Sequence, residues 1–312
     1  MLKRTIEISR QAAHLTTRHK QLQLKREGEI VGSVPCEDLA LVLLDHPGTT
    51  YTHNALTALL DANAALVICG KDHLPKGVLF PLSEHLEIVW RIDEQTGVSK
   101  PVRKRLWKQL IQAKIRAQAA NLTAGSVPHK KLLNYAKEVK ADDATNREAV
   151  AARLYWSSWL VNCEAPDSVD HFRRDRDGDA PNNFLNYGYA ILRAAIARSL
   201  VSAGLLPAIG IHHRNRSNAF CLADDLIEPL RPLVDARART LYFSGHTDLD
   251  QDSKQVMLDL LTETVTTGDQ SGPLMVAINR MTASLVHCFQ GSRKELEIPV
   301  PCISADTEAC GS

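Results

Sequence analysis

Imidazole, guanidinium and carboxylate side chains lie close together in one short part of the chain. Residues 210–232 read GIHHRNRSNAFCLADDLIEPLRP and contain the adjacent His212 and His213 near their start. Asp225 and Glu228 follow three residues apart, so on a helix they would share one face. An imidazole with one or two carboxylates suits Mg²⁺ or Mn²⁺, and Mn²⁺ is the better match if a histidine binds directly. A capping histidine and a solvated acidic face would explain the same residues without a metal.

A more distant carboxylate, Glu148, lies in the run NREAVAARLYWSSWL, whose periodicity predicts a helix. At 3.6 residues per turn Glu148 shares a stripe with Ala152, Tyr155 and Trp159. A charge on an apolar stripe is costly unless it is paired, so we expect an arginine, another cation or a metal beside it. Two interpretations stay open, a salt bridge to another helix and a metal site shared with the histidine segment. A divalent cation there could polarise a phosphoryl oxygen and activate a hydroxyl.

Positive charge is concentrated in one segment. Residues 91–131 hold ten Lys and Arg against two Asp and Glu (10 − 2 = +8), whereas residues 1–90 hold nine against ten (9 − 10 = −1). A basic stripe can bind a polyanion even though the whole chain carries only +1. The arginines of the loop around residues 173–176 have an alternative to phosphate binding, in which neighbouring aspartates balance their charge. The side chains that we expect to contact phosphates are Arg103, Lys104, Lys108, Arg173, Arg174, Arg214 and Arg216.

The elements that must position these residues change in type along the chain. Short strand-like runs separated by turn residues fill the first part, whereas helix formers with apolar periodicity dominate from Pro101 onward. We therefore predict an α+β protein in which a strand-rich, β-sandwich-like domain precedes a larger, all-α catalytic domain. The predicted boundaries are 1–90 for the strand-rich domain, 91–100 for a linker, 101–301 for the helical domain and 302–312 for a disordered tail.

Several classes of protein are disfavoured by what the sequence lacks. It contains no GxSxG, HExxH or P-loop signature, which argues against the usual hydrolases, metalloproteases and ATPases. Its seven cysteines are scattered and never form CxxC, which argues against a disulfide framework and a thiolate zinc site. No apolar run approaches the roughly 18 to 20 residues of a membrane span, and the start lacks a signal-peptide core. We expect a cytoplasmic protein without a membrane partner.

Several motifs together resemble one known family. The block GIHHRNRSNAFCLADDLIEPLRPLVD resembles the active-site signature of the CRISPR-associated integrase, the spacer-acquisition endonuclease of adaptive immune loci, in the form that accompanies type II systems. NREAVAARLYW resembles the earlier glutamate motif of that family, and NNFLNYGYAILR resembles its intervening helix. The resemblance covers nearly all of residues 1–302, with the motifs in the expected order.

The resemblance implies that Glu148, one histidine and Glu228 bind a catalytic Mg²⁺ or Mn²⁺. His213 precedes Glu228 by fifteen residues (228 − 213), the spacing expected in this subgroup. His213 is therefore the implied ligand, and His212 is a neighbour that could orient the loop. Asp225 corresponds to an acidic position that assists in related members.

The resemblance also implies an activity and an assembly. The 3′-hydroxyl of a captured duplex DNA fragment, the protospacer, would attack a phosphodiester at the repeat end of a CRISPR array. A homodimer is implied, with two such dimers joining a dimer of the small second CRISPR-associated protein in a heterohexamer around DNA. Two alternatives stay open. One is a metal-dependent nuclease acting on branched or single-stranded DNA, and the other is a noncatalytic DNA-binding scaffold whose acids are structural.

Overall fold

A computed structural model describes residues 3–82, 87–161, 172–175 and 178–301. Strands dominate the first part of the chain, as the short alternating runs predict. In chain order this part contains β1 (Arg4–Ile8), β2 (His14–Arg18), β3 (Gln21–Arg26), β4 (Glu29–Pro35), β5 (Leu39–Leu44), β6 (Thr50–Tyr51), α1 (His53–Asp61), β7 (Ala65–Cys69) and β8 (Pro75–Leu79).

In the described part of the chain these strands form two four-stranded sheets. One has the order β1-β5-β7-β8, with β5 parallel to both β1 and β7, and the other has the order β4-β3-β2-β6. Leu15 and Leu22 of the second sheet share one core with Val42 and Leu66 of the first and Leu59 of α1. The predicted strand-rich, sandwich-like first part is confirmed.

Strand β5 separates two cores. All six of its residues, LALVLL, are buried. Val42 and Leu44 pack in the core of the strand-rich part, whereas Leu41 and Leu43 join the larger core of the helical part. Because both faces of β5 are covered, its sequence is a continuous apolar run rather than an alternating one. This strand therefore contributes side chains to the hydrophobic cores of both parts of the chain.

Helices dominate the remainder of the chain. Helix α6 lies in the middle of them and packs against the helices designated α7, α8, α9 and α10. Among the described helices, none combines the length and the apolar character that crossing a membrane requires. Their bounds are α2 (Ile88–Gly97), α3 (Lys100–Ala120), α4 (Val127–Glu138), α5 (Arg147–Trp159), α6 (Asn182–Ser202), α7 (Cys221–Ile227), α8 (Arg231–Phe243), α9 (Gln251–Asp259) and α10 (Leu274–Phe289).

The α+β class is confirmed, with two corrections of detail. Residues 91–100, which we predicted as a linker, form most of α2 and the first residue of α3. The second part is mainly rather than entirely helical, because the short strands β9 (Thr264–Thr267), β10 (Gln270–Pro273) and β11 (Val300–Pro301) form a small antiparallel sheet. Strand β9 reads TVTT, which is rich in β-branched residues. The predicted tail 302–312 lies outside the described residues.

A buried ionic cluster connects the strand-rich part to α9. The Lys254 ammonium lies 2.6 Å from Oδ2 of Asp45, the residue that follows β5. His73 Nδ1 lies 2.9 Å from the same oxygen. The side chains of Lys254 and Asp45 are 4% and 1% exposed, so each charge depends on the other for compensation.

Helix α6 passes α8 and α9 so closely at Gly188 that a methyl group has no room. A Cβ at this position would lie 2.5 Å from Cγ1 of Val234 and 3.3 Å from Sδ of Met257. We predict that Gly188→Ala lowers the free energy of unfolding by about 1–3 kcal/mol, because overpacking forces buried side chains out of their rotamers. Denaturant unfolding measures this change.

Gly97→Ala is the matched control, since Gly97 is also helical and nothing lies within 4 Å of its added Cβ. Alanine favours a helix over glycine by up to about 1 kcal/mol, so this variant should be as stable as the wild type or more stable. Equal destabilisation by both substitutions would contradict the packing argument.

Candidate catalytic site

Glu148 is fixed in the first turn of α5 by the loop that precedes the helix. The Asp143 carboxylate accepts hydrogen bonds from the backbone N–H groups of Arg147 (2.8 Å) and Glu148 (2.9 Å). It thereby satisfies two of the donors that a helix N-terminus leaves free. Asp142, Asp143 and Asn146 all have positive φ angles (62°, 45° and 52°), an arrangement that short polar side chains tolerate best. The start of α5 is therefore set by local chemistry.

Glu228 occupies the turn between α7 and α8. Helix α7 ends at Ile227, and Glu228–Leu230 form one turn of 3₁₀ helix around Pro229. This tightening is what a proline at position 229 predicts. The Glu228 side chain is only 7% exposed, and its Oε1 accepts a hydrogen bond from Nε of Arg231 at 2.8 Å. A buried carboxylate is thus delivered to the face of α8 that meets α3.

Lys114 of α3 brings the two predicted carboxylates together. Its Nζ lies 2.6 Å from Oε1 of Glu148 and 2.5 Å from Oε2 of Glu228. The cation expected beside Glu148 is therefore a lysine from another helix, which is one of the two interpretations that the sequence left open. Sequence reasoning missed Lys114, although its helical spacing places it on the buried stripe that includes Trp107, Ile111 and Gln118.

The charges in this cluster stabilise one another. Burial disfavours the ammonium of Lys114, but the carboxylates of Glu228 and Glu148 keep its pKa above the ordinary value. Burial would likewise raise the pKa of Glu228, but the positive charges of Arg231 and Lys114 lower this pKa to about 2. Both groups are therefore charged at neutral pH. The cluster holds two carboxylates and two cations in close contact.

Asp225 fixes the loop that carries the histidines. It is completely buried and accepts hydrogen bonds from the backbone N–H groups of Ile211 (2.5 Å), His212 (3.0 Å) and His213 (3.1 Å). Gly210 is required beside it, because a Cβ there would meet the carbonyl oxygen of His213 and lie 2.8 Å from Oδ2 of Asp225. Asp225 therefore acts as an anchor of this loop.

The same carboxylate orients His213. Nδ1 of His213 donates a hydrogen bond to Oδ1 of Asp225 at 2.6 Å, and this bond raises the pKa of the imidazole. Since Nδ1 is engaged, Nε2 is the ring nitrogen left for another partner, and a carboxylate behind a histidine is a common arrangement around metal ligands. The side chain is 43% exposed. His213 can thus present Nε2 outward in a fixed orientation.

His212 has different surroundings. Its ring stacks on Trp107 with the ring centroids 4.2 Å apart and the planes 3° from parallel. Its Nδ1 lies 3.5 Å from Oδ1 of Asp142. His212 also lines a pocket of about 370 Å³, to which Lys100, Lys104 and Arg214 contribute positive charges. The two adjacent rings therefore have different principal partners, since Trp107 stacks on His212 whereas the Asp225 carboxylate binds Nδ1 of His213.

The metal set Glu148, His213 and Glu228 is only partly brought together. Among the described residues, no group of three or more His, Cys, Asp or Glu side chains is arranged to hold a metal ion. The donor chemistry nevertheless fits a divalent cation, because the two carboxylates already converge on one cation. The buried Oε2 of Glu228 has the Lys114 ammonium as its close partner, at 2.5 Å, so a cation already occupies the position that a metal would take. A metal at this site stays a prediction.

A pocket of about 260 Å³ opens beside the charged cluster. Lys114, Arg174 and Arg231 contribute cations to its lining, and Trp156 and Tyr189 contribute rings. The guanidinium of Arg231 lies 4.6 Å from the centroid of the Tyr189 ring. Cations beside aromatic rings are the surroundings in which phosphate and base groups bind.

Asp235 also lines this pocket and was missed by sequence reasoning. Its Oδ2 accepts a hydrogen bond from the Tyr155 hydroxyl at 3.0 Å, and its Oδ1 accepts one from the Tyr189 hydroxyl. Burial raises the pKa of Asp235 to about 6, although the two hydroxyls and the charge of Arg231 favour the ionised form. The signal in the sequence was an aspartate inside the apolar run PLVDARA.

The predicted phosphate contacts have different structural surroundings. Arg214, Arg216 and Arg173 are exposed, and Lys108 is half-buried. Lys104 is half-exposed, and its ammonium lies 3.3 Å from Oδ2 of Asp142.

Two of the predicted arginines are engaged within the chain. Arg103 donates to the carbonyl oxygens of Val98, Gln95 and Thr96 and so holds the end of α2. Arg174 donates to the side-chain oxygens of Asn182 and Asn186 at the start of α6. These contacts give both arginines a role within the fold.

Comparisons with known proteins agree on one family. The profile of a family described as CRISPR associated protein Cas1 matches residues 6–263. A CRISPR-associated endonuclease Cas1 of Neisseria meningitidis serogroup C (strain 8013) is 35% identical over 290 residues, covering 91% of this chain and 92% of that protein. A CRISPR-associated endonuclease Cas1 2 of Pyrobaculum aerophilum is 31% identical over 65% of this chain and 70% of that protein.

Solved structures show the same fold. A casposase bound to integration product has a TM-score of 0.76 at 20% identity, with 100% of this chain and 96% of that chain covered. A Cas6-RT-Cas1–Cas2 complex has a TM-score of 0.74 at 18% identity, covering 95% of this chain and 36% of that chain. TM1797, a CAS1 protein from Thermotoga maritima, has a TM-score of 0.68 at 16% identity, covering 92% and 97%.

The raised pKa of Asp235 predicts a pH-dependent stability. Below about pH 4 the carboxyl is protonated in both the folded and the unfolded chain, so it contributes no difference. As the pH rises from about 4 to 6 the unfolded chain ionises first, and the contribution of Asp235 to the free energy of unfolding falls by about 3 kcal/mol. Asp235→Asn cannot ionise, so its stability should vary less than that of the wild type across this window. Denaturant unfolding at pH 4 to 7.5 measures both profiles.

The exposed Asp259 provides the control, and Asp259→Asn should follow the wild-type profile. Parallel profiles for the wild type and Asp235→Asn would show that Asp235 ionises in the folded protein as easily as in the unfolded chain.

Proposed function

This chain belongs to the Cas1 family of CRISPR-associated proteins, and from this we propose that it is the integrase of CRISPR adaptation. It would join the 3′-hydroxyl ends of a captured DNA duplex to the repeat array by transesterification. The observation that supports the proposal is the convergence of Glu148 and Glu228 on one cation, next to a loop that holds His213 by its Nδ1. The 35% identical relative is named an endonuclease, and the casposase of similar fold was solved bound to integration product.

The reaction exchanges one phosphodiester for another. A new P–O bond forms to the incoming 3′-oxygen, the repeat strand leaves with its own 3′-oxygen, and the hydroxyl proton ends on the leaving oxygen or in solvent. No nucleotide cofactor is needed, because the number of phosphodiester bonds is unchanged. We propose that Glu148, His213 through Nε2, and Glu228 hold Mg²⁺ or Mn²⁺. When bound, the metal would stabilise the charge on the phosphate and activate the attacking hydroxyl.

The chain's own groups would prepare this step. Asp225 fixes the His213 ring and so sets the direction of Nε2. Arg231 holds Glu228 at 2.8 Å and lines the pocket, where its positive charge would favour a bound phosphate. Positioned cations stabilise the charge that develops on a transferring phosphoryl group because they need no reorganisation during the reaction.

The DNA backbone would lie along the exposed and half-buried basic groups near this site. Arg214 and Arg216 follow the histidine loop, and Lys104 and Lys108 lie on α3. Contacts of this kind hold a duplex by its phosphates rather than by its base sequence. We further propose that the chain forms a homodimer and joins a dimer of the small second CRISPR-associated protein in a heterohexamer. The Cas1–Cas2 pairing in a solved complex of the same fold supports this partnership.

A strand-transfer assay tests the proposed reaction. Purified protein and its small partner would be given a labelled duplex with free 3′-hydroxyls and a supercoiled plasmid carrying a repeat array, in Mn²⁺ or in EDTA. We expect joining in Mn²⁺ only, and a loss of roughly 100-fold or more in Glu148→Gln, His213→Ala and Glu228→Gln. Glu138→Gln is the matched control, since Glu138 pairs with Arg147 at the surface and should not be needed.

The other outcomes separate the alternatives. Metal-dependent cutting without joining, even with the partner present, would favour a nuclease that uses water in place of the 3′-hydroxyl. Tight DNA binding with neither cutting nor joining would favour a scaffold. Joining by well-folded Glu148→Gln at the wild-type rate would remove Glu148 from the reaction.

The different surroundings of the arginines lead to a separate prediction. Arg214→Ala should weaken duplex binding and reduce the slope of log affinity against log salt by about 1, because one phosphate contact is lost. Arg103→Ala should leave this slope unchanged and lower the melting temperature, because three hydrogen bonds to α2 are lost. Fluorescence anisotropy at several salt concentrations and thermal unfolding distinguish the two. A reduced salt slope in Arg103→Ala would place that side chain on the DNA.

A further inference from the structure

Lys114 occupies the place where the two carboxylates of the site meet. The residue is 9% exposed, and its ammonium contacts one oxygen of Glu148 and one of Glu228 at 2.6 and 2.5 Å. These carboxylates come from separate elements, α5 and the turn after α7, and both elements pack against α3. A single ammonium therefore joins three parts of the chain.

The charges of this cluster are already balanced without a metal. Among the four groups in direct contact, the two carboxylates carry −2, and Lys114 and Arg231 carry +2, so their charges cancel. Asp235 lines the same pocket but lies outside this set. A divalent cation added to the same carboxylates would give these four groups and the ion a net charge of +2. Like charges in a region of low dielectric repel strongly, so a metal bound to these carboxylates would weaken the contacts of the ammonium with them.

We propose that Lys114 is a resident cation that competes with the divalent metal for Glu148 and Glu228. The inference rests on the proposed function, because it assumes that these carboxylates bind the metal. In the metal-free protein the ammonium keeps the carboxylates together and prevents their mutual repulsion. Metal binding releases the ammonium from them, and the affinity for the metal is reduced by the energy of the contacts that are lost.

The structure provides a place for the released ammonium. Lys114 lines the pocket of about 260 Å³ beside the cluster, together with Gln118, Ala152 and Trp156. Its flexible four-carbon stem allows the ammonium to move by rotation about side-chain bonds, whereas the arginine fork beside it is held on Glu228. A phosphate in this pocket would be a new partner for the ammonium, so metal and DNA are expected to favour each other's binding.

Metal affinity measured without DNA tests the competition. Titration of Mn²⁺ into the full chain, followed by the loss of the free-ion paramagnetic resonance signal, gives a dissociation constant. We expect Lys114→Met to bind Mn²⁺ roughly tenfold or more tightly than the wild type, because one competing positive charge is removed. In EDTA the same variant should melt at a lower temperature than the wild type, since two carboxylates lose their shared counterion, and Mn²⁺ should raise its melting temperature by more.

The buried ion pair between Lys254 and Asp45 provides a matched control. Its ammonium and carboxylate are also 2.6 Å apart, but they lie where α9 meets the strand-rich part. Lys254→Met should also melt at a lower temperature in EDTA, but its Mn²⁺ affinity should equal that of the wild type. Lys114→Arg keeps the charge and should bind Mn²⁺ no more tightly than the wild type. If Lys114→Met does not fold, Lys114→Gln takes its place in the titration.

The outcomes separate this inference from the proposed function. One outcome would contradict the competition but not the metal site. In it, the wild type binds Mn²⁺ and Glu148→Gln does not, yet folded Lys114→Met binds Mn²⁺ no more tightly than the wild type. If neither the wild type nor any variant binds Mn²⁺, the proposed metal site is wrong, and so is the proposed competition for it. Tighter binding by Lys114→Met but not by Lys254→Met supports the competition.

Discussion

The site depends on the compensation of charges that are withdrawn from water. Lys114, Glu148, Glu228 and Arg231 come from three helices and a turn, and each would cost several kcal/mol if it were buried alone. Their mutual distances of 2.5 to 2.8 Å are possible only if these elements keep one relative position. Apolar burial does not depend on direction, whereas these charged contacts require a particular distance and orientation of their partners.

Contacts that are local in sequence orient each group of the site. Asp143 caps α5 and sets the rotation of Glu148 about the helix axis. Pro229 tightens the chain at Glu228, and Asp225 gathers the backbone of the histidine loop. Because these contacts lie within a few residues to about fourteen residues along the chain, they add little loop-closure entropy. Long-range packing brings the start of α5 and the turn at Glu228 into contact with Lys114.

The strand-rich part supports the site from behind. Strand β5 contributes Leu41 and Leu43 to the helical core, and Asp45 after it pairs with Lys254 of α9. Helix α6 contacts the site on one side and α8 on the other. Its Tyr189 lines the charged pocket, and its Gly188 packs against Val234 of α8. A change in the strand-rich part can therefore affect the site through packing, without touching any charged group of the cluster.

The sequence by itself determined the elements and most of the reactive groups. Periodicity placed Glu148 on a helix, and proline at position 229 indicated a tightened turn at Glu228, because such features depend on near neighbours. It also predicted that Glu148 needs a charged partner.

Only the tertiary structure decided which partner that is, since Lys114 is 34 residues away from Glu148 and 114 from Glu228 along the chain (148 − 114 and 228 − 114). Packing also distinguished the two histidines, because Asp225 binds the ring of His213 whereas Trp107 stacks on His212. It likewise turned the predicted linker into helix α2, which Arg103 holds by its carbonyl groups. Each of these outcomes depends on contacts between distant segments, which periodicity and local propensity do not encode.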